Sequence, residues 1–194
     1  MTSTGQTTAL KILDATRDLI ARRGYSNFSY ADVSAAVDIH KASIHHHFPA
    51  KATLARAVVY HSRDIFNADM AALAANGATP LDQLRAYMAY WNRSMVEDPE
   101  AFCVAGMMGA EVPFLSADAA TAVGEYFGSM LDWCEGLLAA GAEAGQFRLV
   151  GTPRDDASML ISLVYGALLV ARGTRNPDYF KKVSDAALAR LTGG

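Results

Sequence analysis

Within residues 28–54, reading FSYADVSAAVDIHKASIHHHFPAKATL, apolar side chains recur at helical spacing in two stretches too short to be stable alone. Ser29 stands three residues before Asp32 and ahead of Val33, Ala36 and Val37, a capping-box pattern that opens a short helix. Asp38, Ile39 and His40 then interrupt the period. Ile44 and Phe48, four apart, anchor one face of a second short helix over residues 41–47, which leaves Lys41, Ser43, His45 and His46 free. Pro49 ends that helix, and Lys51 opens a third with a cation that the helix dipole disfavours but a phosphate would accept. Two short helices joined by a tight break, with hydrogen-bonding side chains on the exposed face, read as a DNA-binding helix-turn-helix.

A net charge of −3 argues weakly against a nucleic-acid partner, so its distribution decides. Six Lys and Arg against four Asp up to Lys51 give +2 there and leave −5 for the remainder. All five histidines fall between His40 and His61, and imidazoles, with a reference pKa near 6.5, make that end more cationic in mild acid. A basic head on an acidic body fits a DNA-binding regulator. If His45 and His46 gain charge, operator binding tightens and becomes more salt-sensitive between about pH 7.5 and pH 6; as neutral hydrogen-bond partners they would leave both unchanged. The 194 residues permit one domain or two small ones, and 52% apolar with 19% charged residues points to a compact helical chain. The longest apolar run, residues 159–171, is broken by Ser162 and Gly166 and is short for a bilayer. No apolar signal region opens the chain, so a cytoplasmic protein is expected.

The stretch resembles the DNA-binding signature of the tetracycline-repressor (TetR) family, in which a helix ending Ala-X-X-X-Gly-Val precedes Ser-Lys-Gly-Ser-Leu-Tyr-X-His-Phe-X-X-Lys-X-X-Leu. Lys41, Ser43, His47, Phe48, Lys51 and Leu54 match in register, while Asp38, His40, Ala42, Ile44 and His45 stand where that pattern has Gly, Ser, Gly, Leu and Tyr. The resemblance implies an all-α fold with a three-helix head over residues 1–50 and a helical ligand-binding and dimerisation body over 51–194. It implies a homodimer on a near-palindromic double-stranded operator, released by a small-molecule effector. Lys41, Ala42, Ser43, His45 and His46 would then face the major groove, and Ser29, Tyr30 and Lys51 the phosphates.

Along the rest of the chain, residues 1–5 read as a loose tail and residues 6–23 as a helix closed by Gly24. Tyr25 and Phe28 are expected to plug the head's core with Ile44 and Phe48. Helical periods follow over residues 51–75, 81–96, 100–111, 118–145, 154–173 and 178–191. The helix from Lys51 would connect head to body as a stiff rod. Tyr87, Trp91 and Met95 form an aromatic stripe that reads as core from spacing alone. The resemblance makes it part of an effector wall of Tyr87, Trp91, Phe102, Cys103, Met107, Phe127, Met130, Cys134 and Tyr165. The family architecture likewise implies that Leu160, Leu163, Val164, Ala167, Phe180, Val183 and Ala187 pair with a second copy.

Catalytic signatures are missing from the sequence: it has no nucleophile elbow, glycine-rich phosphate loop or His-Glu-X-X-His pair, so neither enzyme nor cofactor is expected. A helical enzyme or a binding module that touches DNA only incidentally stays as a remote alternative. His45, His46 and His47 point about 100° apart on a helix and cannot converge on one metal ion. Cys103 and Cys134 lack metal spacing and read as free thiols. Cys103, in a Phe-Cys-X-X-Gly setting followed by Glu111, also resembles the cysteine element through which some TetR relatives sense electrophiles. It therefore carries two readings, inert core residue or reactive sensor, beside a non-covalent apolar or aromatic effector.

Overall fold

A computed structural model describes residues 3–193 of the chain, and all its regular elements there are helical. In order they are α1 (Ser3–Arg23), α2 (Tyr30–Val37), α3 (Lys41–His47), α4 (Lys51–Ala75), α5 (Pro80–Glu97), α6 (Val104–Ala110), α7 (Ala117–Glu143), α8 (Pro153–Gly173) and α9 (Pro177–Thr192). A single 3₁₀ turn, Val112–Phe114, follows α6. The expected tail is shorter than read, because α1 already includes residues 3–5; Met1 and Thr2 lie outside the described residues.

The chain forms two compact units that interleave in sequence. The first takes residues up to Phe66 together with Phe102–Phe127, and the second takes Asn67–Ala101 together with residues from Gly128 onward. The packing therefore does not divide the chain between residues 50 and 51.

In the first unit α1 packs against α2 and α6, and α2 against α3. Ile12, Ile20, Phe28, Val33, Ile44, Leu54 and Val58 are its buried core, as helical spacing requires. Thr16, buried among them, satisfies its hydroxyl on the Ile12 carbonyl one turn back at 2.7 Å. Residues 100–103, expected to be helical, are not: the Phe102 amide leaves any helical ladder and donates to the Ala21 carbonyl at the end of α1, 3.0 Å away. Helix α6 is therefore only seven residues long. Arg56 reaches Asp118 at 3.3 Å and Arg63 reaches Glu125 at 3.7 Å, tying α4 to α7.

In the second unit α8 packs on α9, and both pack on α5. Threonines cap α5 and α8: Thr79 with Asp82 and Thr152 with Asp155 each make a full capping box, with a proline at the first helical turn. Helix α8 buries Leu160, Ile161, Val164, Ala167 and Leu168, each large apolar one contributing about 1.5–3 kcal/mol on leaving water. As a whole helix of 21 residues, α8 is long and apolar enough to cross a membrane, unlike the shorter run within it. Much of that apolar surface is used on α5 and α9. Asp156 is buried at the base of α8 and accepts from the amides of Val150 and Gly151, both at 3.0 Å. Gly141 is required where it stands, because a side chain there would collide with the buried ring of Phe147.

Candidate nucleic-acid interface

Ser29 caps α2 and Asp32 returns the bond: the Ser29 amide and hydroxyl reach the Asp32 carboxylate at 2.8 and 2.6 Å. Those bonds, with Arg23 3.4 Å away, hold the Asp32 carboxyl below the usual carboxylate range. Asp38 then ends α2 in the left-handed conformation at φ 56°, a conformation that an acidic side chain tolerates better than most. Ile39 follows, its carbonyl accepting from the Ser34 hydroxyl, and His40 begins α3 without a side-chain cap.

The seven residues of α3 divide as their spacing predicted. Ile44 is fully buried and the following Phe48 nearly so, whereas Lys41, Ala42, Ser43, His45 and His46 are exposed. Five of the seven positions of one short helix thus stand open around one anchor. His47 is half-buried, its ring edge-on to His46 at 5.5 Å.

Three residues expected on phosphates are engaged in the head itself. The Tyr30 hydroxyl donates to the Phe48 carbonyl at 2.7 Å, and its ring lies 4.5 Å from His45. That bond joins α2 to the end of α3. The Lys51 ammonium sits over the rings of Tyr25 and Phe28, at 4.6 and 4.5 Å, so that cation–π attraction holds it inward. Burial lowers its pKa, opposed by the carboxylates of Glu111 and Asp32. The Ser29 side chain is exposed and committed to its capping box.

Sequence reading missed the carboxylate that organises the turn into α2. Glu111, at the end of α6, accepts from the Tyr25 amide at 2.7 Å, the Ser26 amide at 2.9 Å and the Ser26 hydroxyl. Burial pushes the Glu111 carboxyl up, but the Ser26 and Tyr25 hydrogen bonds and the Lys51 charge outweigh it and leave it below the usual range. Gly24, at φ 82°, admits this approach, since a side chain there would strike the Glu111 carboxylate. A separation of 85 residues gives no periodic signal from which this contact could be read.

The residues expected around an effector divide between the units. Phe102, Cys103, Met107 and Phe127 belong to the first, with Cys103 7% exposed and its thiol donating to the Tyr126 hydroxyl at 3.7 Å. That burial disfavours a fast-reacting thiol. Tyr87, Trp91, Met130, Cys134 and Tyr165 belong to the second, where all but half-buried Tyr165 are buried. Burial pushes the Cys134 thiol up to about 12, which keeps it protonated.

Among the residues expected to meet a second copy, Leu160, Val164, Ala167, Phe180 and Ala187 are buried within their own chain. Periodicity identifies an apolar face but not what covers it; here α8, α9 and α5 cover one another. Leu163 and Val183 are half-buried. The apolar surface left open on α8 is another stripe, Met159, Leu169 and Val170, interspersed with exposed Ser162, Gly166 and Gly173, with Tyr179 exposed on α9.

The family model described as bacterial regulatory proteins, tetR family, matches residues 12–58, which contain α2, α3 and the first turns of α4. A TetR-family transcriptional regulator of Agrobacterium tumefaciens is 38% identical, over 97% of this chain and 99% of its own, with a TM-score of 0.91. A TetR transcriptional regulator of Legionella pneumophila is 23% identical over 98% of each chain, with a TM-score of 0.85. The reduced form of E. coli NemR is 20% identical over 95% of this chain and 97% of its own, with a TM-score of 0.81. The last two speak for the fold alone. No curated protein sequence matches.

Proposed function

Because the chain belongs to the TetR family of bacterial transcriptional regulators, we propose that it is a homodimeric repressor which α3 places on a near-palindromic operator and which a small uncharged effector releases. The observation that supports this reading best is the division of α3. One anchor, Ile44, is fully buried, and five neighbours able to meet base edges or the thymine methyl are exposed. Lys41, Ser43, His45 and His46 supply donors and acceptors, and Ala42 a small apolar contact. Residues 1–50 act as the DNA-reading part and the remainder as the part that binds effector and partner. Its work is binding rather than catalysis.

The second copy docks on the open stripe of α8. Met159, Leu169 and Val170 supply apolar area, and Ser162, Gly166 and Gly173 let a neighbouring helix come close. Two heads so paired present two α3 helices to half-sites about one helical turn of DNA apart. A stiff α4, whose first turn follows α3 and whose last turns belong to the second unit, carries an effector's bias to the head. Such an effector must favour the DNA-incompetent state, since equal affinity for both states shifts nothing.

The test is binding of the protein to the DNA upstream of its own gene, with and without excess unrelated DNA. A specific complex persists under competition and is at least about 10³-fold tighter than binding to unrelated DNA. Leu169→Glu tests the pairing: it should give a folded monomer that has lost the specific complex. A monomer that binds its operator normally rejects the dimeric reading, and binding abolished by unrelated DNA rejects the repressor.

A further inference from the structure

Among the described side chains, one buried donor has nowhere to place its proton. The indole Nε1 of Trp91 lacks a hydrogen-bond partner, and the residue is 8% exposed. Nearly all buried polar groups in folded proteins are paired, so an orphan calls for a specific explanation. Its surroundings in the second unit are aromatic. Tyr165 stands 6.5 Å from Trp91, and Tyr87 lies 5.2 Å from Trp133.

Two hydroxyls in this cluster turn toward one sulfur. Tyr87 and Tyr165 approach the Met130 thioether at 4.0 and 3.7 Å, a weak acceptor that an oxygen would readily replace. Met130 is fully buried, unbranched and able to change shape around a guest. Fixed charge is absent: among the described residues the one buried charged side chain is Asp156, whose carboxylate is held by the amides of Val150 and Gly151. A charged guest would therefore be buried without a counter-ion, at heavy cost.

We propose that this cluster takes an uncharged aromatic ligand carrying an oxygen acceptor, such as a ketone, ester or ether, which receives the Trp91 Nε1–H. The aromatic rings hold the ligand's body, and Trp91 selects its polar end. As the effector's identity, this rests on the reading of the protein as an effector-released repressor; as a binding site, it stands apart from that reading.

Three probes of similar size test it by calorimetry: 2-acetylnaphthalene, 2-isopropylnaphthalene and 2-naphthoate. Wild-type protein should bind the ketone about tenfold more tightly than the hydrocarbon, the effect of one hydrogen bond to an otherwise unpaired donor. It should not bind the carboxylate. In Trp91→Phe the ketone's advantage should fall to about one while the hydrocarbon binds as before. Overturning results are an advantage unchanged in Trp91→Phe, carboxylate binding as tight as the ketone's, or no binding by any of the three. The wild-type comparison alone decides if the variant does not fold. The same ketone added to the operator complex separates the two readings: binding with the expected selectivity but no release supports the site and counts against its role as effector site.

Discussion

Removing the Glu111 carboxylate should loosen the turn that leads into α2. It accepts from two backbone amides and one hydroxyl, at 2.7 and 2.9 Å for the amides. Hydrogen bonds to a charged acceptor contribute about 1.5–3 kcal/mol each when buried, and this half-buried group belongs at the low end because water replaces part of them. Glu111→Ala should therefore cost about 2–3 kcal/mol, a fall in melting midpoint of roughly 5–10 °C for a chain of this size. Gly24→Ala should cost about 1 kcal/mol for the left-handed backbone alone and more for its collision with Glu111. With Glu111 already truncated the collision disappears, so the double variant should be more stable than the sum of the singles predicts, by about 1 kcal/mol or more. Urea unfolding of the four proteins measures that difference, and operator binding by fluorescence anisotropy should weaken about tenfold in Glu111→Ala. Because the carboxyl lies below its ordinary value of 4.5 in the fold, its contribution is complete above that pH and is lost as pH falls through the lower folded value. Glu111→Ala should thus erase part of the protein's acid sensitivity. Additive costs within about 0.3 kcal/mol together with unchanged operator affinity would refute the clamp.

Tyr30→Phe should cost about 1 kcal/mol of stability through the lost bond to the Phe48 carbonyl, yet leave the operator affinity of the folded protein as it was. Lys41→Ala should do the reverse, weakening the operator complex by about 1–3 kcal/mol and relaxing its specificity at unchanged stability. A weakened operator complex in folded Tyr30→Phe protein would restore that hydroxyl to the phosphates. Asp156→Ala strips the acceptor from the Val150 and Gly151 amides and should cost about 3 kcal/mol in a urea melt, while a loss under 1 kcal/mol would mean that water serves those amides equally well.

Local chemistry made the head legible. Pro49 and the Ile44–Phe48 pair fix α3 and the start of α4, and Ser29 with Asp32 fixes the start of α2. Equivalent boxes at Thr79–Asp82 and Thr152–Asp155 carry the same signal for the starts of α5 and α8. What stayed hidden depends on distant chain. The unwound residues 100–103 answer to the Ala21 carbonyl, and the role of Glu111 to a turn 85 residues earlier. Which face of α8 stays open was not legible for a related reason. Leu160 and Val164 carry the stronger apolar signal, and that strength belongs to the face the chain keeps for itself.

The path of the chain through its two units bears on how such a protein can change. Residues 102–127 return to the first unit after an excursion of 35 residues in the second, and they bring Glu111 back to the turn at Ser26. A gene fragment ending near residue 50, or even at Phe66, would encode the reading helices without the segment that braces them. Recombination at a single crossover could not exchange operator specificity cleanly between such genes. Substitution within α3 could, because its five exposed positions alter without disturbing Ile44. New operators are therefore more accessible to point mutation than to the shuffling of modules.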